Sequence, residues 1–257
     1  MARSIIAAVT AALLFVSCAS GDDGSLASYE WVPADTLELP QTNLFAVETD
    51  FGTMTVRLFD ETPVHRDNFK RLAAHGFFDE LTFHRIIDGF VIQGGDPTTR
   101  TDSDPMQQGS GGPGYTLEAE IQRGLDHRRG ALAAARQGDL ENPERRSSGS
   151  QFYIVHGRPF TDQELDDVEV RIRATADSTF AFTEEERERY RTHGGAPFLD
   201  LQYTVFGELI SGFDVLDAVA RVETPRSAGR QADPALMDRP IQTVKMRVYP
   251  VEDPPAN

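Results

Sequence analysis

One stretch of the chain combines a cation, an aromatic ring and an amide within nine residues. Arg85 precedes two isoleucines, and Phe90 and Gln93 follow the turn signal Asp88-Gly89. Strand side chains alternate between the two faces of a sheet, and a turn or bulge at Asp88-Gly89 resets that alternation so that Arg85, Phe90 and Gln93 share one face. An apolar pocket with one cation and one amide suits a neutral, planar ligand group such as an amide. The alternative is a surface arginine that forms an ion pair beside a core phenylalanine.

Short strands and two helices are predicted to carry this stretch. Alternating apolar and polar residues predict a hairpin over 45–58 and a last strand over 241–249. A helix is predicted over 62–76, where Thr-Pro is typical of its start and Gly of its end, and a second helix over 212–221. Many short strands with only two framework helices favour a mainly β barrel or sandwich over a βαβ repeat.

Residues 157–197 interrupt this pattern with two helical runs. Thr161 and Glu164 have the spacing of a capping box, and so do Thr183 and Glu186. Each pair is followed by a highly charged helical segment. We therefore predict a helical insertion here, and its simplest interpretation is a solvated excursion without chemistry of its own.

The first residues have the composition of an export signal. A basic start precedes an apolar run over 5–16, which is shorter than the roughly 20 residues that span a bilayer. The stretch Phe15-Val16-Ser17-Cys18 resembles the lipobox of bacterial lipoproteins, in which the cysteine is acylated. We expect a signal peptide at 1–17, lipidation at Cys18 and a lipid-attached polar tether at 18–43. The alternative is an ordinary signal peptide with an incidental cysteine.

The charge and cysteine content exclude several classes of function. The 257 residues carry 41 acidic and 25 basic side chains, a formal net charge of −16, which opposes binding to nucleic acid. A single cysteine forms neither an internal disulfide nor a multi-thiolate zinc site. The six histidines show no metal-ligand spacing. A hydrophobic content of 39% is typical of a soluble globular protein.

The stretch from Phe83 to Asp96 resembles the signature of the cyclophilins, the peptidyl-prolyl cis–trans isomerases. The match is the run FHRIIDGFVIQGGD, and further blocks follow in that family's order: 109–115, 130–135 with 148–154, and 198–200 with 203–207. The resemblance covers about residues 44–250. It implies a closed antiparallel eight-stranded barrel capped by two helices, within a domain at 44–252 that contains the insertion at 157–197 and precedes a tail at 253–257.

The resemblance also implies roles for individual residues. Arg85 would be the catalytic arginine, acting with Phe90 and Gln93. The substrate-binding set would line the proline pocket, its rim and the peptide groove, and consists of Val91, Gly109, Ala135, Arg136, Gln151, Tyr153, Phe198, Leu199 and Tyr203. No metal and no cofactor is implied.

Five members of this set depart from the usual family residues. Val91 stands where the family usually has Met, Tyr153 where Phe is common and Arg136 where Asn is common. Phe198 and Tyr203 replace the Trp and His of many eukaryotic members. These changes are compatible with isomerase activity but argue against tight cyclosporin binding, to which that Trp contributes.

We therefore expect a lipid-anchored peptidyl-prolyl cis–trans isomerase of the bacterial cell envelope, on the periplasmic or outer-membrane face. Its partners would be proline-containing peptides and unfolded exported proteins, and the membrane would be contacted through the N-terminal lipid. We expect a monomer that binds no nucleic acid. The alternative is a proline-peptide-binding or holdase module with little catalysis.

Overall fold

Antiparallel strands form the framework that carries the predicted site. The computed structural model describes residues 38–100 and 104–252. The strands in this part of the chain are β1 (Leu44–Thr49), β2 (Gly52–Leu58), β3 (Leu81–Thr82), β4 (Arg85–Ile87), β5 (Val91–Gly94), β6 (Thr116–Leu117), β7 (Ala131–Ala134), β8 (Ser147–Ser148), β9 (Phe152–Val155), β10 (Val205–Ser211) and β11 (Lys245–Pro250). Nine of them pair in one sheet in the order β3-β11-β1-β2-β10-β7-β9-β5-β4, and β6 pairs with β8.

The first hairpin follows the alternation of its sequence. β1 and β2 pair in regular antiparallel register, and Met54, Val56 and Leu58 are buried on alternate positions of β2. Gly52 ends the turn with a φ of 126°, and a Cβ there would lie 2.9 Å from the side chain of Val215. A larger residue at this position is therefore excluded by both backbone and packing.

Two helices cover the sheet where the sequence predicts them. They are α1 (Pro63–Ala74) and the later framework helix at Phe213–Ala220. Phe69 of α1 meets the rings of Phe45, Phe152 and Phe206 with centroids 5.6–5.7 Å apart. Such edge-on and tilted aromatic contacts add to the free energy of burial. The core therefore lies between α1 and the concave face of the sheet.

The insertion is helical, and both predicted capping boxes are confirmed. It contains α2 (Asp162–Thr175) and α3 (Glu184–Thr192), so that the framework helix at Phe213–Ala220 becomes α4. Thr161 Oγ1 accepts from the Glu164 N–H at 3.3 Å, and Thr183 N–H donates to Glu186 Oε2 at 2.6 Å. The helices close over an apolar cluster of their own, made of Phe160, Leu165, Val168, Ile172, Phe180, Phe182 and Tyr190.

The sheet is curled, but the predicted closed barrel of eight strands is not confirmed. The described strand pairing gives a sheet of nine strands, a half-barrel that ends at β3 and β4. Phe83 and His84, which join these strands, form no turn but continue the two neighbouring ladders, so β3 pairs with β11 and β4 with β5. The Phe83 N–H donates to Val244 O and the His84 N–H to Gln93 O, both at 3.0 Å.

The predicted signal peptide, Cys18 and most of the tether lie outside the described residues, as does the predicted tail. The described end of the tether, residues 38–43, contacts the domain. Lys70 Nζ donates to Pro40 O at 3.1 Å, and Asn43 Nδ2 donates to Asp60 Oδ1 at 2.9 Å. Over residues 38–100 and 104–252, no helix has the length and apolar character needed to cross a bilayer.

Candidate functional site

The catalytic candidates lie on a tight hairpin made by β4 and β5. Arg85 pairs directly with Gln93, and Ile87 with Val91. Residues opposite each other in an antiparallel pair share one face. Of the two predicted alternatives at Asp88-Gly89, the turn is confirmed and the bulge is not: the β4–β5 register is regular, and residues 88–90 form the turn, closed by the Phe90 N–H, which donates to Ile87 O at 3.0 Å. The hairpin turn therefore places Arg85 and Gln93 opposite each other on one face.

These side chains border a small cavity of about 100 Å³, in which polar and apolar groups are mixed. Since one water needs only roughly 10–15 Å³ of such space, the cavity has room for a small ring. Nine of the predicted residues line it: Arg85, Phe90, Val91, Gln93, Ala135, Arg136, Tyr153, Leu199 and Tyr203. Three predicted residues lie elsewhere, namely Gly109, Gln151 and Phe198.

The guanidinium of Arg85 lines the cavity and is held by contacts with three other side chains. Its Nη1 donates to Gln93 Oε1 at 3.2 Å, and its Cζ lies 5.7 Å from the centroid of the Phe90 ring. Its Nε lies 4.0 Å from Asp238 Oδ2, a long ion pair of small energetic value at a side chain that is 41% exposed. Asp238 carries no sequence signal, because it lies in a loop far along the chain. The Ile86 N–H donates to Asp238 O at 2.8 Å and holds that loop against β4.

Gln151 and Gly109 belong to a larger groove that adjoins the cavity. Gln93 Nε2 donates to Gln151 Oε1 at 3.2 Å, and Gln151 Nε2 donates to Gly109 O at 2.9 Å and to Gly111 O at 2.8 Å. The Asp96 carboxylate accepts from the N–H groups of both glycines. A line of amide hydrogen bonds thus runs from Arg85 to the glycine-rich loop.

Phe198 stands at the rim. Its ring centroid is 5.4 Å from that of Phe90 and 6.5 Å from that of Phe160, and the side chain is 39% exposed. Phe160 belongs to the insertion, and α2 also packs against the turn Pro197–Leu199. The insertion therefore borders the side of the cavity that Leu199 closes.

Ala135 and Arg136, just after β7, also line the cavity. The Ala135 N–H donates to Gln151 O at 3.0 Å, and Ala135 O accepts from the Ser148 N–H at 2.8 Å, which leaves one carbonyl lone pair for a peptide. The Arg136 guanidinium stacks 4.5 Å from the centroid of Tyr203, and its Nε donates to Gln202 O at 2.9 Å. The side chain of Arg136, and not only its backbone, therefore shapes the cavity.

The comparisons with known proteins agree with this site. The family model "Cyclophilin type peptidyl-prolyl cis-trans isomerase/CLD" matches residues 44–249, which is most of the chain. The chain belongs to this family. The match includes the hairpin with Arg85, the cavity and the insertion.

Individual cyclophilin relatives are bacterial and eukaryotic. A protein of Staphylococcus haemolyticus, provisionally named as a peptidyl-prolyl cis-trans isomerase, is 34% identical over 81% of this chain and 90% of its own length. A protein of Streptococcus pyogenes, provisionally named as a bifunctional phosphatase and isomerase, is 37% identical over 73% of this chain, which spans only 38% of that longer protein. A crystal structure of a Cryptosporidium parvum cyclophilin-type isomerase matches with a TM-score of 0.57 at 25% identity, and it covers 82% of this chain and 99% of its own.

Tyr153, at the floor of the cyclophilin cavity, is held by two buried residues, His127 and Asp200, which carry no signal in the sequence. Tyr153 O–H lies 3.0 Å from His127 Nε2, and His127 Nδ1 lies 2.9 Å from Asp200 Oδ1. Burial raises the pKa of Tyr153 well above its usual value, so the hydroxyl keeps its proton. The three residues are far apart in the sequence, and no local pattern joins them.

His84, next to Arg85, packs inside the protein. Burial lowers the pKa of its imidazole to about 4, so the ring is neutral at pH 7. Neither ring nitrogen has a hydrogen-bond partner among the described residues. Over residues 38–100 and 104–252, no group of three or more His, Cys, Asp or Glu side chains is placed to hold a metal ion.

Proposed function

We propose that this cyclophilin accelerates rotation about Xaa-Pro bonds in exported proteins, at the bacterial cell envelope. The observation that carries the proposal is the position of Arg85: its guanidinium lines a small cavity, with Nη1 3.2 Å from Gln93 Oε1 and Cζ 5.7 Å from the centroid of the Phe90 ring. A proline ring in the cavity would place its nitrogen beside this donor.

Amide physics explains why one donor suffices. Resonance sets a barrier of about 18–20 kcal/mol, and uncatalysed Xaa-Pro bonds exchange in tens to hundreds of seconds. Rotation removes the resonance and leaves a lone pair on the prolyl nitrogen. An N–H of Arg85 that donates to this lone pair stabilises the twisted state more than either planar state, which is the condition for catalysis.

The remaining site residues hold the peptide on both sides of the rotating bond. Val91, Tyr153 and Leu199 enclose the ring, while Gln151 and the free lone pair of Ala135 O are placed to bind the peptide backbone in the groove. Insertion of the proline ring into the cavity strengthens the Arg85 contact, because less water then competes for it. A millionfold acceleration requires about 8 kcal/mol of such differential stabilisation.

A lipid on Cys18 would place the enzyme at a membrane. The support is the sequence of the first eighteen residues, in which a basic start and an apolar run precede Phe15-Val16-Ser17-Cys18. Labelled palmitate incorporated in a bacterial host, and lost in Cys18→Ser, is the expected result. Equal labelling of both chains would contradict it.

NMR exchange spectroscopy on an Xaa-Pro peptide tests the activity itself. The full chain at micromolar concentration should bring the cis and trans signals of the peptide into exchange, and light scattering should report a monomer. Peptide binding without exchange would favour a binding or holdase module instead. No binding and no exchange would contradict both functions.

A further inference from the structure

A continuous line of hydrogen bonds joins the insertion to the floor of the cavity. Tyr190 of α3 donates its O–H to Asp200 Oδ2 at 2.5 Å. Asp200 Oδ1 accepts from His127 Nδ1–H at 2.9 Å, so His127 Nε2 is left to accept from the Tyr153 O–H at 3.0 Å. These four side chains form the buried relay.

Each member of the buried relay is shut off from water. The exposed fractions are 0% for His127, 1% for Tyr190, 3% for Asp200 and 4% for Tyr153. Asp200 Oδ1 also accepts from the His127 backbone N–H at 2.8 Å. An unpaired polar group at this depth is costly, whereas a fully paired network holds its members in one arrangement. Removal of one hydroxyl therefore loosens the rest.

Two further contacts tie the insertion to the segment that carries His127. Arg189 Nη2 of α3 donates to Asp126 Oδ2 at 2.8 Å. At the end of the insertion, the Ala196 N–H donates to His127 O at 2.8 Å. Both contacts are made to residues 126–127, so the insertion and this stretch are held against each other.

Tyr153 is the point where a displacement of the buried relay would reach the substrate. Its ring is T-shaped to that of Tyr203, with centroids 6.0 Å apart, and both rings line the cavity. A small rotation of Tyr153 therefore changes the width of the cavity in which the proline ring must fit.

We propose that Tyr190 is a positioning residue for the isomerase: through Asp200 and His127 it holds the Tyr153 ring at the floor of the cavity, so that the insertion governs turnover without touching the peptide. This inference rests on the proposed function. It assigns a role to the insertion beyond that of a solvated helical excursion.

Tyr190→Phe is the direct test, because it removes one oxygen and keeps the ring. We expect kcat/KM on an Xaa-Pro peptide to fall about fivefold in the full chain, a change that the transition-state relation makes easily measurable. Tyr153→Phe cuts the buried relay at its other end. In that background, the second substitution should change kcat/KM by less than about 1.5-fold, since coupled residues are not additive.

Val168→Ala is the matched control. Val168 is buried in the same apolar cluster as Tyr190, but its aliphatic side chain has no polar atom and so forms no hydrogen bond to the buried relay. It should lower the melting temperature and leave kcat/KM at the wild-type value. Unchanged kcat/KM in Tyr190→Phe, or the same loss in both backgrounds, would overturn the proposal.

The ¹⁵N chemical shifts of the His127 ring provide a readout that does not depend on activity. We expect the ring proton at Nδ1, with the Nε2 signal displaced in Tyr153→Phe and in Tyr190→Phe. If the wild type shows these shifts but does not accelerate exchange, the proposed function fails and the buried relay stands. A ring protonated at Nε2 alone would overturn the relay whatever the activity.

Discussion

The Arg85 guanidinium and the Gln93 amide face each other across β4 and β5, with Nη1 3.2 Å from Oε1. Gln93 in turn donates to Gln151, whose amide is held by the glycine-rich loop. The direction of the Arg85 donor is therefore set by a row of amides that ends 16 residues beyond Gln93, at Gly109. This arrangement makes Gln93 a residue whose loss should affect the rate more than the binding of peptide.

Gln93→Leu should lower kcat about tenfold and change KM by less than threefold. The substitution keeps the approximate volume and removes the acceptor of a charge-assisted hydrogen bond, which contributes about 1.5–3 kcal/mol. Steady-state kinetics on an Xaa-Pro peptide measure both constants. Gln163→Leu, on the exposed surface of α2, is the control and should match the wild type. A rise in KM alone would mean that Gln93 binds the peptide rather than orients Arg85.

Arg136→Ala should raise KM several-fold with a smaller effect on kcat. The guanidinium stacks on Tyr203 and holds the strand end to Gln202 O, so its removal frees one wall of the cavity. Cation–π contacts of this kind contribute about 0.5–2 kcal/mol. Arg230→Ala, at a side chain that is 61% exposed, should leave both constants unchanged. Equal values of kcat and KM in Arg136→Ala and the wild type would contradict a role of the Arg136 side chain in peptide binding.

Thr183→Ala should lower the free energy of unfolding by about 1 kcal/mol, the usual cost of losing a helix cap. Thr183 Oγ1 accepts from the Glu186 N–H at 3.2 Å at the start of α3. Urea unfolding followed by circular dichroism provides the measurement. Thr183→Ser keeps the hydroxyl and should recover most of the loss. A Ser variant as unstable as the Ala variant would show that the methyl group, not the cap, is what matters.

Acid should destabilise the fold partly through His84. The folded pKa of about 4 lies below the ordinary value of 6.5, so the unfolded chain binds the proton more tightly. The stability is thus fully present above about pH 6.5 and is lost as the pH falls towards 4. Burial also lowers the pKa of His65 and His156, so they act in the same direction.

The difference between wild type and His84→Gln isolates this contribution. Between pH 7.5 and 4.5 the wild type should lose about 2 kcal/mol more than the variant, measured by urea unfolding at both values. His193→Gln, at an exposed position, serves as control and should follow the wild type. Parallel losses in all three chains would mean that His84 does not titrate in this range.

Local patterns in the sequence predicted much of the structure, because the contacts behind them span few residues. The two capping boxes close within three residues, and the β4–β5 hairpin within nine. Of the nine cavity residues, Arg85, Phe90 and Gln93 followed from such a local pattern, and the other six came from the resemblance. The local composition at Asp88-Gly89 predicts a turn or a bulge without deciding between them, and the structure shows the turn.

Long-range contacts were beyond these patterns. The predicted last strand began at residue 241, yet β11 starts at Lys245, because the Ile241 N–H donates to Glu223 O at 2.8 Å and so joins a loop. Asp238 beside Arg85, and Asp200 beside His127, lie in loops that only the folded chain brings near. The described ends of the sheet at β3 and β4 likewise depend on which strand each segment meets.

The catalytic role of Arg85 is tested most directly by comparing Arg85→Ala with Arg247→Ala in the NMR exchange experiment on an Xaa-Pro peptide. Both substitutions remove one guanidinium, and that of Arg247 stands on the surface near Asp79. With Arg85→Ala we expect exchange to slow about a hundredfold, the effect of removing a donor aimed at transition-state charge, while the melting temperature stays unchanged. Arg247→Ala should exchange at the wild-type rate. A wild-type rate in Arg85→Ala would contradict the central claim that this one donor carries the catalysis.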